Sequence, residues 1–196
     1  MSASDQELIG QFLNGDTDAF GELIVRYQDR LFNALTKMLG SSEDALDVAQ
    51  EAFIHAFEKL STFRGDAAFY SWLFRIAMNA AISRKRRERR KSSASLDAIR
   101  EQSGSEATDA RPDTAPSHAS DVAERQRIVQ DALLKLSDEF RTVLVLKEID
   151  GMKYEQIAEV VDVPVGTVRS RIHRARCEMR DILRRSLGDD AFTVAE

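Results

Sequence analysis

Apolar residues recur along this chain at intervals of three and four. Phe20, Leu23, Ile24, Tyr27, Leu31, Ala34, Leu35 and Met38 form one series, and Ala45, Val48, Ala49, Ala52, Phe53, Ala56, Phe57 and Leu60 form a second. Each predicts an amphipathic helix that turns one face to a core. A third helix is expected to start near Ala68 and to run through Trp72, Leu73, Ile76, Ala77 and Ala80 into a basic stretch, with Thr62–Ala67 and its glycine forming the loop before it. The spacing of Trp72 predicts a mostly buried side chain. The pattern resumes at Val122, Ile128, Val129, Ala132, Leu133 and Leu136; Ser137 then reads as a helix cap before Val143, Leu144, Leu146 and Ile149, and Gly151 as the stop. No alternating run bounded by hairpin turns occurs, so the expected fold class is all-α.

Between these two helical stretches the composition changes. Residues 92–121 are rich in Ser, Ala, Asp, Glu and Gly and hold two of the three prolines, which predicts a flexible linker. Two small helical domains are therefore expected, at 1–91 and 122–187, followed by an acidic tail at 188–196. Cys177 is the single cysteine, so no intramolecular disulfide and no thiolate zinc cluster is available. Nothing in the sequence approaches the roughly 20 apolar residues of a membrane span, and a cytoplasmic protein is expected.

The net charge of −5 conceals two basic patches. Residues 1–60 hold eleven acids against four bases, whereas 84–91 hold seven bases against Glu88, and 169–185 hold seven arginines against two acids. A single averaged charge does not exclude a polyanionic partner when the cations are clustered.

The sharpest local signal runs from Tyr154 to Arg176. A short helix carrying Ile157, Ala158 and Val161, a turn at Asp162–Val165, and a second helix opened by Gly166 and Thr167 and anchored by Val168 and Ile172 make a helix-turn-helix. Its outward face offers Arg169, Ser170, His173, Arg174 and Arg176, long donors suited to phosphates and guanine edges. Asp162 takes the turn position usually held by glycine, and aspartate tolerates the left-handed conformation.

Two motifs together resemble the extracytoplasmic-function (ECF) sigma factors of the sigma-70 superfamily, close to the sigma-E envelope-stress type. One is Asp47-Val-Ala-Gln-Glu-Ala-Phe with the segment Phe63 to Asn79; the other is Lys147-Glu-Ile-Asp-Gly continuing through Arg176. The resemblance implies a promoter-specificity subunit of RNA polymerase with no catalytic residues, cofactor or metal of its own. It implies that the helix bearing Asp44, Asp47, Gln50 and Glu51 docks on the clamp helices of the largest polymerase subunit, and that the C-terminal domain meets the flap of the second-largest. Phe63, Arg64, Gly65, Asp66, Ala67, Ala68 and Phe69 match the loop that captures a flipped base of the melted −10 strand, and Asn79 matches the residue that reads it. Arg84, Arg86 and Arg87 would then hold phosphates nearby. Contacts to the −35 element map onto Lys147, Thr167, Arg169, Ser170, His173, Arg174 and Arg176; Thr167 either caps its helix or touches a phosphate, and His173 replaces a large aromatic of the sigma-E type. An anti-sigma protein is a further implied partner, a small-molecule substrate is not, and a stress or envelope-signal regulon is the implied setting.

Two other classes compete, a DNA-binding regulator acting alone and a helical adaptor. The adaptor leaves both basic patches without a role, and residues 1–91 offer the regulator no obvious ligand pocket. A metal reading of Asp47, Glu51 and His55 fails because one helix spreads these residues over two turns. The linker adds a geometric expectation. Thirty relaxed polar residues span about 30 Å, while −10 and −35 elements lie on the order of 85 Å apart, at about 25 base pairs of roughly 3.4 Å each. The two domains are therefore expected to sit close together in the free chain and to be drawn apart on polymerase.

Overall fold

A computed structural model describes the backbone of residues 3–98 and 118–187, with side chains at 3–87 and 123–187. Among the described residues the fold is all-helical and contains no strand, and no helix is long and apolar enough to cross a membrane. The tail at 188–196 and most of the expected linker, residues 99–117, lie outside this set.

The chain enters through α1 (Asp5–Leu13), a short helix that the apolar pattern does not predict. A reciprocal cap starts it: the Glu7 amide donates to Ser4 Oγ at 3.3 Å, and the Ser4 amide donates to the Glu7 carboxylate at 2.7 Å. These bonds hold the Glu7 carboxyl below its ordinary pKa. Asp5 then accepts hydrogen bonds from Arg26 and Tyr27 of α2 (Asp18–Leu39). Phe12, Phe20 and Phe57 meet at centroid distances of 5.0 to 5.6 Å and join α1 and α2 to α3 (Ser42–Lys59). Most of both predicted apolar stripes points inward, with Leu23, Leu31, Leu35, Ala45, Ala52 and Ala56 fully buried, while Phe57 remains 44% exposed where it meets Phe12 and Phe20.

A short 3-10 turn at Leu60–Thr62 leads to the loop at 63–68, and α4 (Phe69–Ala98) begins one residue after the expected start. This helix continues to Ala98, past the expected domain end at 91, so it carries the basic stretch on an unbroken helical backbone. Trp72 is only half-buried, because it packs at the edge of the core against Phe63 and Phe69 beneath the loop.

In the second half, α5 (His118–Lys135) and α6 (Asp138–Leu144) are joined at Ser137, whose Oγ accepts from the Phe140 amide at 3.3 Å, the cap expected from the sequence. The helix then widens at Val145–Ile149, where the Asp150 amide reaches back five residues to the Val145 carbonyl at 3.0 Å. Gly151 ends it at φ +71. The helix-turn-helix follows as α7 (Tyr154–Val161) and α8 (Val165–Leu187), with Ile157, Val168, Ile172 and Ala175 fully buried between them. One detail differs from expectation: α8 opens at Val165, and the Pro164 carbonyl accepts from the Thr167 and Val168 amides, which leaves Thr167 in the first turn.

The two halves are packed against each other, as the linker geometry anticipates. The carbonyls of Lys37 and Met38, at the end of α2, accept from Gln130 at 3.2 Å and Arg141 at 3.0 Å. Terminal helix carbonyls lack intrahelical donors and sit at the negative end of the dipole, so an arginine from the other half suits them. Lys85 pairs with Asp138 in the same interface.

Asp162 closes α7 at φ +54 and ψ +50, the left-handed conformation. Asp162→Gly is expected to raise the unfolding free energy by about 0.5–1 kcal/mol and Asp162→Val to lower it by about 1 kcal/mol or more, since a branched Cβ crowds the following carbonyl there. Urea titration read by circular dichroism checks both signs.

Candidate nucleic-acid interface

The loop at 63–68 rests on an aromatic floor. Phe63 lies 5.2 Å from Trp72 and 5.9 Å from Phe69, centroid to centroid, and Phe69 itself is buried. Arg64, Gly65, Asp66 and Ala68 are exposed above this floor, with Ala67 half-buried. Gly65 is left-handed at φ +77 and has open space where a β-carbon would stand. Phe69 is therefore support for the loop, and Arg64, Gly65, Asp66 and Ala68 are the residues it presents to solvent. Asn79 is exposed ten positions further along α4, about 15 Å at 1.5 Å per residue. It lines a cleft of about 670 Å³ between the two halves, shared with Arg75, Arg84, Val160, Val163 and Arg171; none of residues 63–69 lines that cleft.

Residues assigned to two different partners are paired with one another. Arg84 donates to Asp44 at 2.8 Å and Asp47 at 2.7 Å, and Arg87 lies 4.0 Å from Glu51. Gln50 and Arg86 are exposed. His55 sits between Glu51 at 3.6 Å and Glu58 at 3.2 Å, an ordinary helix-surface arrangement.

On α8, Arg169, Ser170, His173 and Arg174 form one exposed face, and Ser170 Oγ donates to the Thr167 carbonyl. Thr167 is half-buried. Arg176 stands at the flank, where Glu148 accepts from its guanidinium at 3.0 and 2.5 Å and pushes its pKa up. Arg171 turns away from this face to Glu139 at 3.0 Å. Sequence spacing did not single out Tyr154, whose ring lies 4.9 Å from Lys147 Nζ and 5.7 Å from the Arg169 guanidinium carbon, a cation–π arrangement that gathers the two cations. Lys147 also donates to the Met152 carbonyl at 3.3 Å.

The sequence also missed a node between the halves. Arg30 donates to the Asp150 carboxylate from Nε at 2.9 Å and Nη2 at 3.2 Å, and Tyr70 adds a bond at 3.0 Å. Burial and the Asp150 charge push the Tyr70 hydroxyl well above the ordinary tyrosine range, and burial with the Asp5 bond pushes Tyr27 up to about 12.

With this geometry in view, comparison with known proteins gives consistent matches. The family model of sigma-70 region 2 matches residues 23–91, and that of sigma-70 region 4 matches residues 126–179. An ECF RNA polymerase sigma-E factor of Haemophilus influenzae is 41% identical over 177 residues, covering 88% of this chain and 92% of the relative. The protein of the same description from Escherichia coli is 40% identical over 174 residues, covering 88% and 91%. Among solved structures, CnrH in complex with the cytosolic domain of CnrY aligns with a TM-score of 0.65 at 28% identity, over 91% of this chain and 96% of that one. The sigma factor RpoE in complex with the anti-sigma factor NepR from Bartonella quintana shares the fold, with a TM-score of 0.67 at 23% identity over 84% and 96%.

The Glu148 contact orders the arginines of α8. Arg174→Ala is expected to weaken binding to a −35 duplex by about 1–3 kcal/mol, and Arg176→Ala by less than about 1 kcal/mol, because an exposed carboxylate already competes for its guanidinium. Fluorescence anisotropy with a matched and a scrambled duplex measures both, and equal losses would refute the ordering.

Proposed function

Because this chain belongs to the ECF sigma factors of the sigma-70 family, we propose that it binds core RNA polymerase, directs it to promoters through −10 and −35 elements and promotes strand opening there. The observation that carries this reading is the presence in one chain of two unlike modules, an exposed loop with a reader asparagine on a basic helix, and a helix-turn-helix with four exposed polar residues at its DNA face. A regulator acting alone has no use for the first module.

The roles divide by chemistry. Exposed Arg64, Asp66 and Asn79 suit a melted strand, whose splayed bases present hydrogen-bonding edges. Arg169, Ser170, His173 and Arg174 suit the major groove of a duplex, with Lys147 as a phosphate contact. Asp44, Asp47, Gln50 and Glu51 give α3 an acidic docking face for the polymerase clamp. An apolar groove lined by Val129, Leu133, Leu144, Ile149, Met179 and Leu183 suits a helix of the flap. Melting draws on binding energy, and bond-making belongs to the polymerase; this chain is a non-enzymatic subunit. The relatives named as ECF RNA polymerase sigma-E factors fit this role, and the solved complex of RpoE with the anti-sigma factor NepR fits control by an anti-sigma protein; a cytoplasmic site of action and an envelope-stress regulon belong to the same reading. Retention of core polymerase by the purified chain, with specific run-off transcription, tests the whole reading.

Two substitutions separate its parts. Asn79→Ala is expected to lower open-complex formation by at least tenfold, measured by permanganate footprinting, with core affinity unchanged. Asp47→Arg and Glu51→Arg are expected to weaken core binding while lowering stability by about 1 kcal/mol or less, the cost of breaking their solvent-accessible pairs with Arg84 and with Arg87 and His55; core titration with a thermal melt of the same samples tests each.

A further inference from the structure

A carboxylate on one domain has been taken almost wholly out of water by the other. The Asp150 side chain is 2% exposed, although it sits at the end of a surface helix of the C-terminal half. Its donors come from the N-terminal half: two nitrogens of Arg30 and the Tyr70 hydroxyl, while Arg30 Nη2 also reaches the Asp150 carbonyl at 3.0 Å. The Arg30 guanidinium carbon lies over the Tyr70 ring, 3.9 Å from its centroid, and Tyr27 stacks on Tyr70 at 5.3 Å. Burial of a charge is costly unless it is paired and fully hydrogen-bonded, so a chance encounter of two surfaces would not leave this arrangement. The surface around Arg30 and Tyr70 is therefore shaped for an acidic group of its own chain.

We propose that Tyr27, Arg30 and Tyr70 form an intramolecular docking surface for Asp150, which holds the free chain closed until core polymerase draws the halves apart. The inference rests on the sigma-factor reading. Asn79 lines the same cleft as Val160, Val163 and Arg171 of the helix-turn-helix half, so a strand bound at Asn79 competes with that half for space. Elements on the order of 85 Å apart cannot be served by two modules that share one cleft. Core binds only the open fraction, and its apparent affinity is reduced by that fraction.

The experiment compares the full chain with Asp150→Asn, Arg30→Gln and the exchanged pair Arg30→Asp with Asp150→Arg. Small-angle scattering without polymerase should show a larger radius of gyration for each single variant, and titration of core should show roughly tenfold tighter binding. The exchanged pair should return both values toward the wild type. Unchanged scattering in the single variants overturns the proposal, as does an exchanged pair as open as the singles. Should Asp150→Asn fail to fold, Arg30→Gln decides, since the Arg30 side chain is 43% exposed and its loss leaves the core intact. A wild-type chain that ignores core polymerase sinks the sigma-factor reading, while scattering still judges the latch.

Discussion

A carboxylate that leaves water must keep its donors, and the arrangement of this molecule follows from where Asp150 finds them. Its donors are not independent. Arg30 lies over the Tyr70 ring, Tyr70 stacks on Tyr27, and the Tyr27 hydroxyl and neighbouring Arg26 are both held by Asp5. Asp5 in turn is held in place by the Ser4–Glu7 cap that starts α1. A short N-terminal helix with only Leu8 and Ile9 buried thus helps fix the placement of a domain more than a hundred residues away.

A second set of pairs links surfaces proposed for different partners. Arg84 is suited to DNA phosphates, yet it bridges Asp44 and Asp47 on the face proposed for the polymerase clamp. Cations on the clamp that engage those acids would compete with Arg84 for them, and the guanidinium would become available to DNA in the same step. The pairs are more than a third exposed on the acidic side, so they exchange partners at little cost.

The helices α2 and α3, the Ser137 cap, the stop at Gly151 and the left-handed Asp162 were legible in the sequence because each depends on residues within a turn or two of chain. The exposed polar face of α8 was legible for the same reason. Pairing was not. Arg30 and Asp150 are 120 positions apart, Arg84 lies 37 and 40 from its acids, and Arg176 lies 28 from Glu148. Sequence shows charge and its local face, so it assigned Arg84 and Arg176 to DNA without seeing what else holds them. α1 escaped notice because nine residues with two buried positions give periodicity little to work on, and no local pattern marks the widened turn at Val145–Ile149.

Gly40 ends α2 at φ +77, and a β-carbon there would lie 2.8 Å from the side chain of Leu134 in the other half. Two separate pressures therefore act on one position. The backbone conformation alone would accept asparagine, which visits the left-handed region readily; the crowding by Leu134 exists only while the halves are together. The clashing atoms are the terminal methyls of Leu134, itself 39% exposed, so they can swing aside, and asparagine at this site would loosen the seam between the halves at one yielding point while leaving the end of α2 in place.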